Sequence, residues 1–233
     1  MFSKLKSVSR RAVLGALALG STLGLVAAAR TASANISLVY PPISFPAGKS
    51  YSQLAASWWQ WALTQPTATS PLVDTTGANC AAGQSGAVWF LAGALDSTPV
   101  SRKCTVPYGK TIVLPIVNAA YFAFASDPPE QKTESFLRSQ VTYIEGATNL
   151  RAEVDGLTVW NPSAYREKSV LFGLTLPADN VYGLPAGFRL EPSVDEGYYI
   201  AMQPLLPGRH TVHVHGEVPG GFVSDVTYDL VVR

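Results

Sequence analysis

Charged side chains are scarce, at 14% of the 233 residues. Five of the basic ones (Lys4, Lys6, Arg10, Arg11 and Arg30) fall in the first 34 residues, where there is no acid. Without that segment acidic residues outnumber basic ones, so there is no broad basic surface to neutralise phosphates, and nucleic acid is excluded as a partner. No H-E-x-x-H, dinucleotide fingerprint or calcium loop occurs, which leaves the common metalloprotease, nucleotide and EF-hand chemistries without a carrier. Gly83-Gln84-Ser85-Gly86 falls one residue short of a nucleophile elbow, and Gly109-Lys110-Thr111 lacks the leading glycine of a phosphate loop. Low-complexity runs and internal repeats are also missing. With 47% hydrophobic residues, the chain has ample material for a core, and disorder is excluded.

What is present first is an address. Residues 1–11 are basic, residues 12–29 are apolar, and Thr31-Ala32-Ser33-Ala34 offers small residues for cleavage. Ser9-Arg10-Arg11 reads as a twin-arginine export signal; a general secretory signal and an uncleaved anchor are the alternatives. The expectation is a signal peptide over 1–34, a single β-rich domain over 35–233 with no membrane span after signal removal, and a periplasmic or extracellular destination. Cys80 and Cys104 are the only cysteines. In an oxidising compartment the pair reads as one disulfide; a mixed Cys/His metal site has no C-x-x-C spacing behind it.

Two helices are expected. Ser50 and Gln53 have capping-box spacing, and Tyr51, Leu54, Ala55, Trp58, Trp61 and Ala62 share one face. The second follows Ser126-Asp127-Pro128, with Phe136, Leu137, Val141 and Ile144 as its stripe and Gly146 as its end. Strands are expected at 87–91, 111–117, 149–154, 157–160, 198–202, 211–215 and 223–232. Asp155-Gly156 is a hairpin signal, and Pro/Gly turns separate the later strands. Asp195-Glu196 reads as a solvated turn, and Glu130 and Glu134 as a solvated helix face. Strands outnumber helices without βαβ alternation, so the fold class is mainly β: an antiparallel, jelly-roll-like sandwich with two α-helices on an edge or face.

The stretches Trp58-Trp59-Gln60-Trp61, Asp74-Thr75-Thr76-Gly77-Ala78-Asn79-Cys80 and Gln84-Ser85-Gly86-Ala87-Val88-Trp89-Phe90-Leu91-Ala92-Gly93 resemble a group of uncharacterised exported bacterial proteins. The likeness continues through Cys104-Thr105-Val106-Pro107, Val154-Asp155-Gly156 and Pro207-Gly208-Arg209-His210-Thr211-Val212. It implies a single exported domain with the two-cysteine arrangement, and it lends no catalytic residues.

Two constellations could carry chemistry. All three histidines, His210, His213 and His215, fall within six residues. On a strand His213 and His215 share a face, and a hairpin register pairing His215 with Asp225 would add a carboxylate opposite them. Two histidines and an aspartate could mount zinc or copper and activate a water; the same residues also suit an ordinary wet sheet face. The second constellation is aromatic. Trp58 and Trp61 belong to the apolar stripe, whereas Trp59 points about 100° away. Trp59 could form a platform for a sugar ring with Tyr198 and Tyr199, or all three tryptophans could be buried beside Trp89 or Phe90.

The function expected is therefore binding, of a glycan or other cell-envelope component, with no cofactor. The alternative is a metal-dependent hydrolase using His213, His215 and Asp225. An envelope protein that docks another protein is the third reading.

Overall fold

The computed structural model describes residues 37–233. The expected signal segment lies outside the described residues. Among the described residues ten strands form two five-stranded sheets, and the protein is mainly β. The strands are β1 (Val88–Phe90), β2 (Val100–Val106), β3 (Thr111–Phe122), β4 (Thr148–Val154), β5 (Leu157–Thr158), β6 (Arg166–Lys168), β7 (Phe172–Thr175), β8 (Arg189–Met202), β9 (Gly208–Glu217) and β10 (Val223–Val232). One sheet runs β1-β3-β8-β6, with β7 also on β8; the other runs β2-β10-β9-β4-β5. Pairing is antiparallel except for β1 with β3 and β2 with β10, which are parallel. The sheets come close where Gly216 of β9 meets β3: a Cβ there would stand 3.1 Å from Val117 Cγ1.

The first helix, α1 (Tyr51–Leu63), starts at the expected capping box: Gln53 N donates to Ser50 Oγ at 3.2 Å and Ser50 N to Gln53 Oε1 at 2.9 Å. Its predicted stripe is buried throughout. Full burial of a side chain such as Leu54 contributes roughly 2 kcal/mol relative to exposure. The helix packs on β8, so residues 193–202 of that strand are buried on both faces. That run includes Asp195 and Glu196, which are fully buried in mid-strand and not in a turn. The strand continues through Asp-Glu-Gly because Gly197 makes room for its cross-strand partner: a Cβ on Gly197 would lie 2.5 Å from Asn118 Cβ.

The second expected helix is broken into pieces. A 3-10 turn (Pro129–Lys132), α2 (Glu134–Ser139) and a second 3-10 turn (Thr142–Gly146) replace one continuous helix. Thr133 is extended and its hydroxyl caps a new start by accepting from Phe136 N, while Asp127 turns back to accept from Phe124 N. The Asp155-Gly156 hairpin joins β4 to β5 with both residues at positive φ, as a type I′ turn requires.

β2 went unforeseen because an arginine interrupts its alternation. Arg102 is buried, donates to the carbonyls of Leu72, Asp74, Ala92 and Gly93 and to the Tyr228 hydroxyl, and lies over the Tyr228 ring. It ties two loops to the sandwich through neutral acceptors. Asp74, Gly77 and Gln84 serve similar ends. Asp74 accepts from Thr76 N and Asn79 N, and Gly77 lets the turn lie against the Lys103 backbone. Cys80 then reaches Cys104, and the disulfide is formed. Gln84 bonds the Phe90 backbone in both directions. No helix among the described residues is long and apolar enough to cross a membrane.

Candidate functional site

The three tryptophans of α1 divide their labour as helical geometry demands. Trp58 and Trp61 are buried and donate to the carbonyls of Leu91 and Ala82, both at 2.8 Å; Trp61 also stacks on Phe90. Trp59 points aside, is half-buried, and borders a cavity of about 340 Å³. That cavity opens because β1 pairs with β3 only over residues 111–113, so no further strand covers the outer edge of β3. Asn118, Ala119 and Ala120 of β3 form one wall, and Trp58 and Trp59 another. Tyr143 and Ile144 of the Thr142–Gly146 turn, the Val181-Tyr182 loop, and the β9–β10 turn with Pro219 and Phe222 also line it, as do Leu72 and the Ala94-Leu95 segment.

Each wall is fixed by a local device. Gly146 allows the turn to seat on Pro219, since a Cβ there would be 2.7 Å from Pro219 Cγ. Gly220 and Gly221 supply the positive φ values of the β9–β10 turn. The Asn180 side chain holds the Tyr182 loop by accepting from Tyr182 N and Leu184 N and donating to the carbonyls of Pro177 and Leu184. Edge-to-face contacts run from Trp58 to Trp59 and from Trp59 to Phe122. The walls are mostly apolar and aromatic, with Asn118 as the one amide.

Behind this wall lies a buried carboxyl. Asp195 Oδ1 accepts from Trp59 Nε1 at 2.6 Å and from the Tyr199 hydroxyl at 2.9 Å. Asn118 Nδ2 donates to the same hydroxyl at 2.7 Å. Asp195 Oδ2 is buried without a partner among the described residues. Burial pushes the Asp195 pKa up to about 8, against the two hydrogen bonds that pull it down, so the acid is neutral at pH 7 with room for its proton on Oδ2. Glu167, on β6, is also pushed up by burial, to about 7.

Of the expected aromatic platform only Trp59 borders the cavity. Tyr199 is fully buried, its hydroxyl turned to Asp195, and Tyr198 alternates to the opposite face of β8 with 4% exposure. Neither offers a ring face to a ligand. Tyr143 and Tyr182, each 48% exposed, flank Trp59 in their place. They come from an irregular turn and a loop, where periodicity gives no signal. Asn118 did leave a trace, as a polar residue followed by two alanines at the end of an apolar run.

The histidine strand sits on the outer face of the other sheet. β9 and β10 pair His215 with Asp225, His213 with Thr227 and Thr211 with Asp229. Asp225 lies between the two imidazoles, with Oδ1 3.1 Å from His213 Nε2 and Oδ2 3.2 Å from His215 Nδ1; His215 Nε2 is 3.3 Å from Glu217 Oε1. Burial works to raise the Asp225 pKa, but hydrogen bonds from both histidines hold it below the usual carboxylate range. The three residues expected to mount zinc or copper are brought together, and they are hydrogen-bonded to one another. Each Asp225 oxygen is engaged with a different ring. His210 is separate, bridging Asp155 Oδ2 at 2.7 Å and the Leu206 carbonyl at 2.8 Å.

No family model matches the chain, and no curated protein matches it. Among solved structures, a cysteine protease inhibitor from Entamoeba histolytica is similar over 57% of this chain and 86% of its own, at 16% identity. Its TM-score is 0.22, too low to bear on fold or function.

Proposed function

We propose that this is an exported binding protein whose ligand occupies the Trp59 cavity. The observation that carries the reading is the cavity itself: about 340 Å³, walled by Trp59, Tyr143, Tyr182 and Phe222, with Asn118 on the sheet side. Concave, mostly apolar sites with a few placed polar groups are how proteins hold small molecules. The walls carry no ionised side chain, which favours a neutral, ring-bearing ligand, such as a sugar unit of a glycan or another envelope component. Export is supported by the basic-apolar-small pattern of residues 1–34 and by the disulfide, a bond that persists in oxidising compartments.

Residues 35–233 should be titrated with neutral mono- and oligosaccharides while tryptophan fluorescence is followed. Saturable binding, weakened in Tyr143→Ala and Tyr182→Ala, supports the reading. Both tyrosines are half exposed, so neither variant should unfold the protein. Binding that ignores both changes would place the ligand elsewhere. The metal-dependent hydrolase has less behind it, because Asp225 and the two histidines already satisfy one another.

A further inference from the structure

We propose that Asn118 is the specificity-determining residue of the Trp59 cavity, that Tyr199 and Asp195 position it, and that the ligand group it receives is a hydroxyl or an amide; this rests on the cavity being the ligand site. The hydrogen-bond directions follow from the groups themselves. With its acid proton on Oδ2, Asp195 offers Oδ1 as an acceptor only, and Oδ1 accepts from Trp59 Nε1 and from the Tyr199 hydroxyl, which spends its only proton there. It can then only accept from Asn118, which fixes the amide with Nδ2 toward Tyr199. Asn118 Oδ1 takes no hydrogen bond from any described residue, and it is not among the sealed, unpartnered atoms. It is thus an open acceptor on a residue that borders the cavity, with the second Nδ2 hydrogen beside it.

A hydroxyl or an amide N–H and C=O can satisfy both, by donating to Oδ1 and accepting from Nδ2. An ether can only accept and leaves Oδ1 unpaired; a carboxylate does the same and adds a charge the walls do not neutralise. Gly197 completes the device, because any side chain there would displace Asn118. The same Asp195 oxygen also holds Trp59, so one buried carboxyl sets both the flat wall and the polar group.

Benzyl alcohol and anisole are isomers that differ in whether the oxygen carries a hydrogen, and they make a matched pair of probes. Their affinities for residues 35–233 can be read from shifts of the Trp59 indole N–H signal. The wild type should bind benzyl alcohol about 5- to 10-fold more tightly, the effect of one net hydrogen bond. Asn118→Ala should bring the ratio to about one. Tyr199→Phe should lower it by freeing the amide to turn, while anisole binding is kept; a purely structural role for Tyr199 would weaken both isomers alike. Should Tyr199→Phe fail to fold, the Asn118→Ala ratio decides alone. Equal affinities in the wild type, or a ratio unchanged in Asn118→Ala, would overturn the assignment while leaving the cavity as the ligand site. If neither isomer moves the Trp59 signal, the cavity reading falls and this inference with it.

Discussion

Replacing Asp195 with asparagine should make the protein more stable in neutral and alkaline solution and take away much of its pH dependence. In the unfolded chain an aspartate loses its proton near pH 4; in the fold Asp195 keeps it until about pH 8. Between those values the folded state binds one proton more than the unfolded state, so stability falls as pH rises across the window and levels off above it. Each pH unit corresponds to about 1.4 kcal/mol. From pH 5 to pH 7 this group alone should cost roughly 3 kcal/mol, or a melting temperature lower by about 5–10 °C for a domain of this size. Asparagine keeps the oxygen that accepts from Trp59 and Tyr199 and places an N–H where Oδ2 carries the acid proton. Glu167, whose pKa is raised in the same direction, is common to both proteins and cancels in their difference. Thermal unfolding of the two proteins at half-unit steps from pH 4.5 to 8.5 is the assay. The curves should lie close together at the acid end and diverge steadily toward pH 8. Parallel curves across the whole range would refute the reasoning, since Asp195 would then have no displaced titration.

Other parts of the fold make their own predictions. Arg102→Met should cost more than about 3 kcal/mol in denaturant unfolding, because several buried carbonyls lose their donor together; a loss under about 1 kcal/mol would show that the loops are held by other contacts. Cys80→Ser with Cys104→Ser should cost about 3 kcal/mol, the entropy released to a loop of this length, and reduction of the wild type should match it. His210 can serve both Asp155 and the Leu206 carbonyl only when both ring nitrogens carry protons, and these bonds outweigh burial in raising its pKa. Its stabilisation is therefore full below the unfolded value of about 6.5 and is lost as pH rises through the higher folded value. The stability gap between wild type and His210→Gln should be wider at pH 5.5 than at pH 8.5.

The parts of the molecule legible in sequence were those governed by local rules. The capping box of Ser50 and Gln53, the buried stripe of α1 and the Asp155-Gly156 turn each depend on a few adjacent residues. Alternation put His213, His215 and Asp225 on one sheet face, but the register that pairs His215 with Asp225 was one of several a Pro-Gly-Gly turn allows, and only the structure selects it. Arg102 and Asp195 defeated the same rules, because a charge-bearing residue on an inward position reads as surface until its partners are known. Those partners are distant: Asp195 is held by Trp59, 136 residues away, and Arg102 bonds Tyr228, 126 residues away. The cavity was hidden for a related reason. Its walls come from separated segments, and Tyr143 and Tyr182 sit where neither a 2-residue nor a 3.6-residue period applies. What the sequence does carry is the contrast between Trp59 and its two neighbours, since 100° per residue sends one of three close tryptophans away from the core.

The five tryptophans allow a direct test of the central claim, because each gives one indole N–H signal. Residues 35–233, labelled with 15N, should be titrated with neutral glycan fragments of the cell envelope and each signal followed. The account predicts that the Trp59 signal moves and saturates while that of Trp160, which is 86% exposed and away from the cavity, stays in place. Shifts confined to Trp160, or a Trp59 signal that no fragment moves, would contradict it.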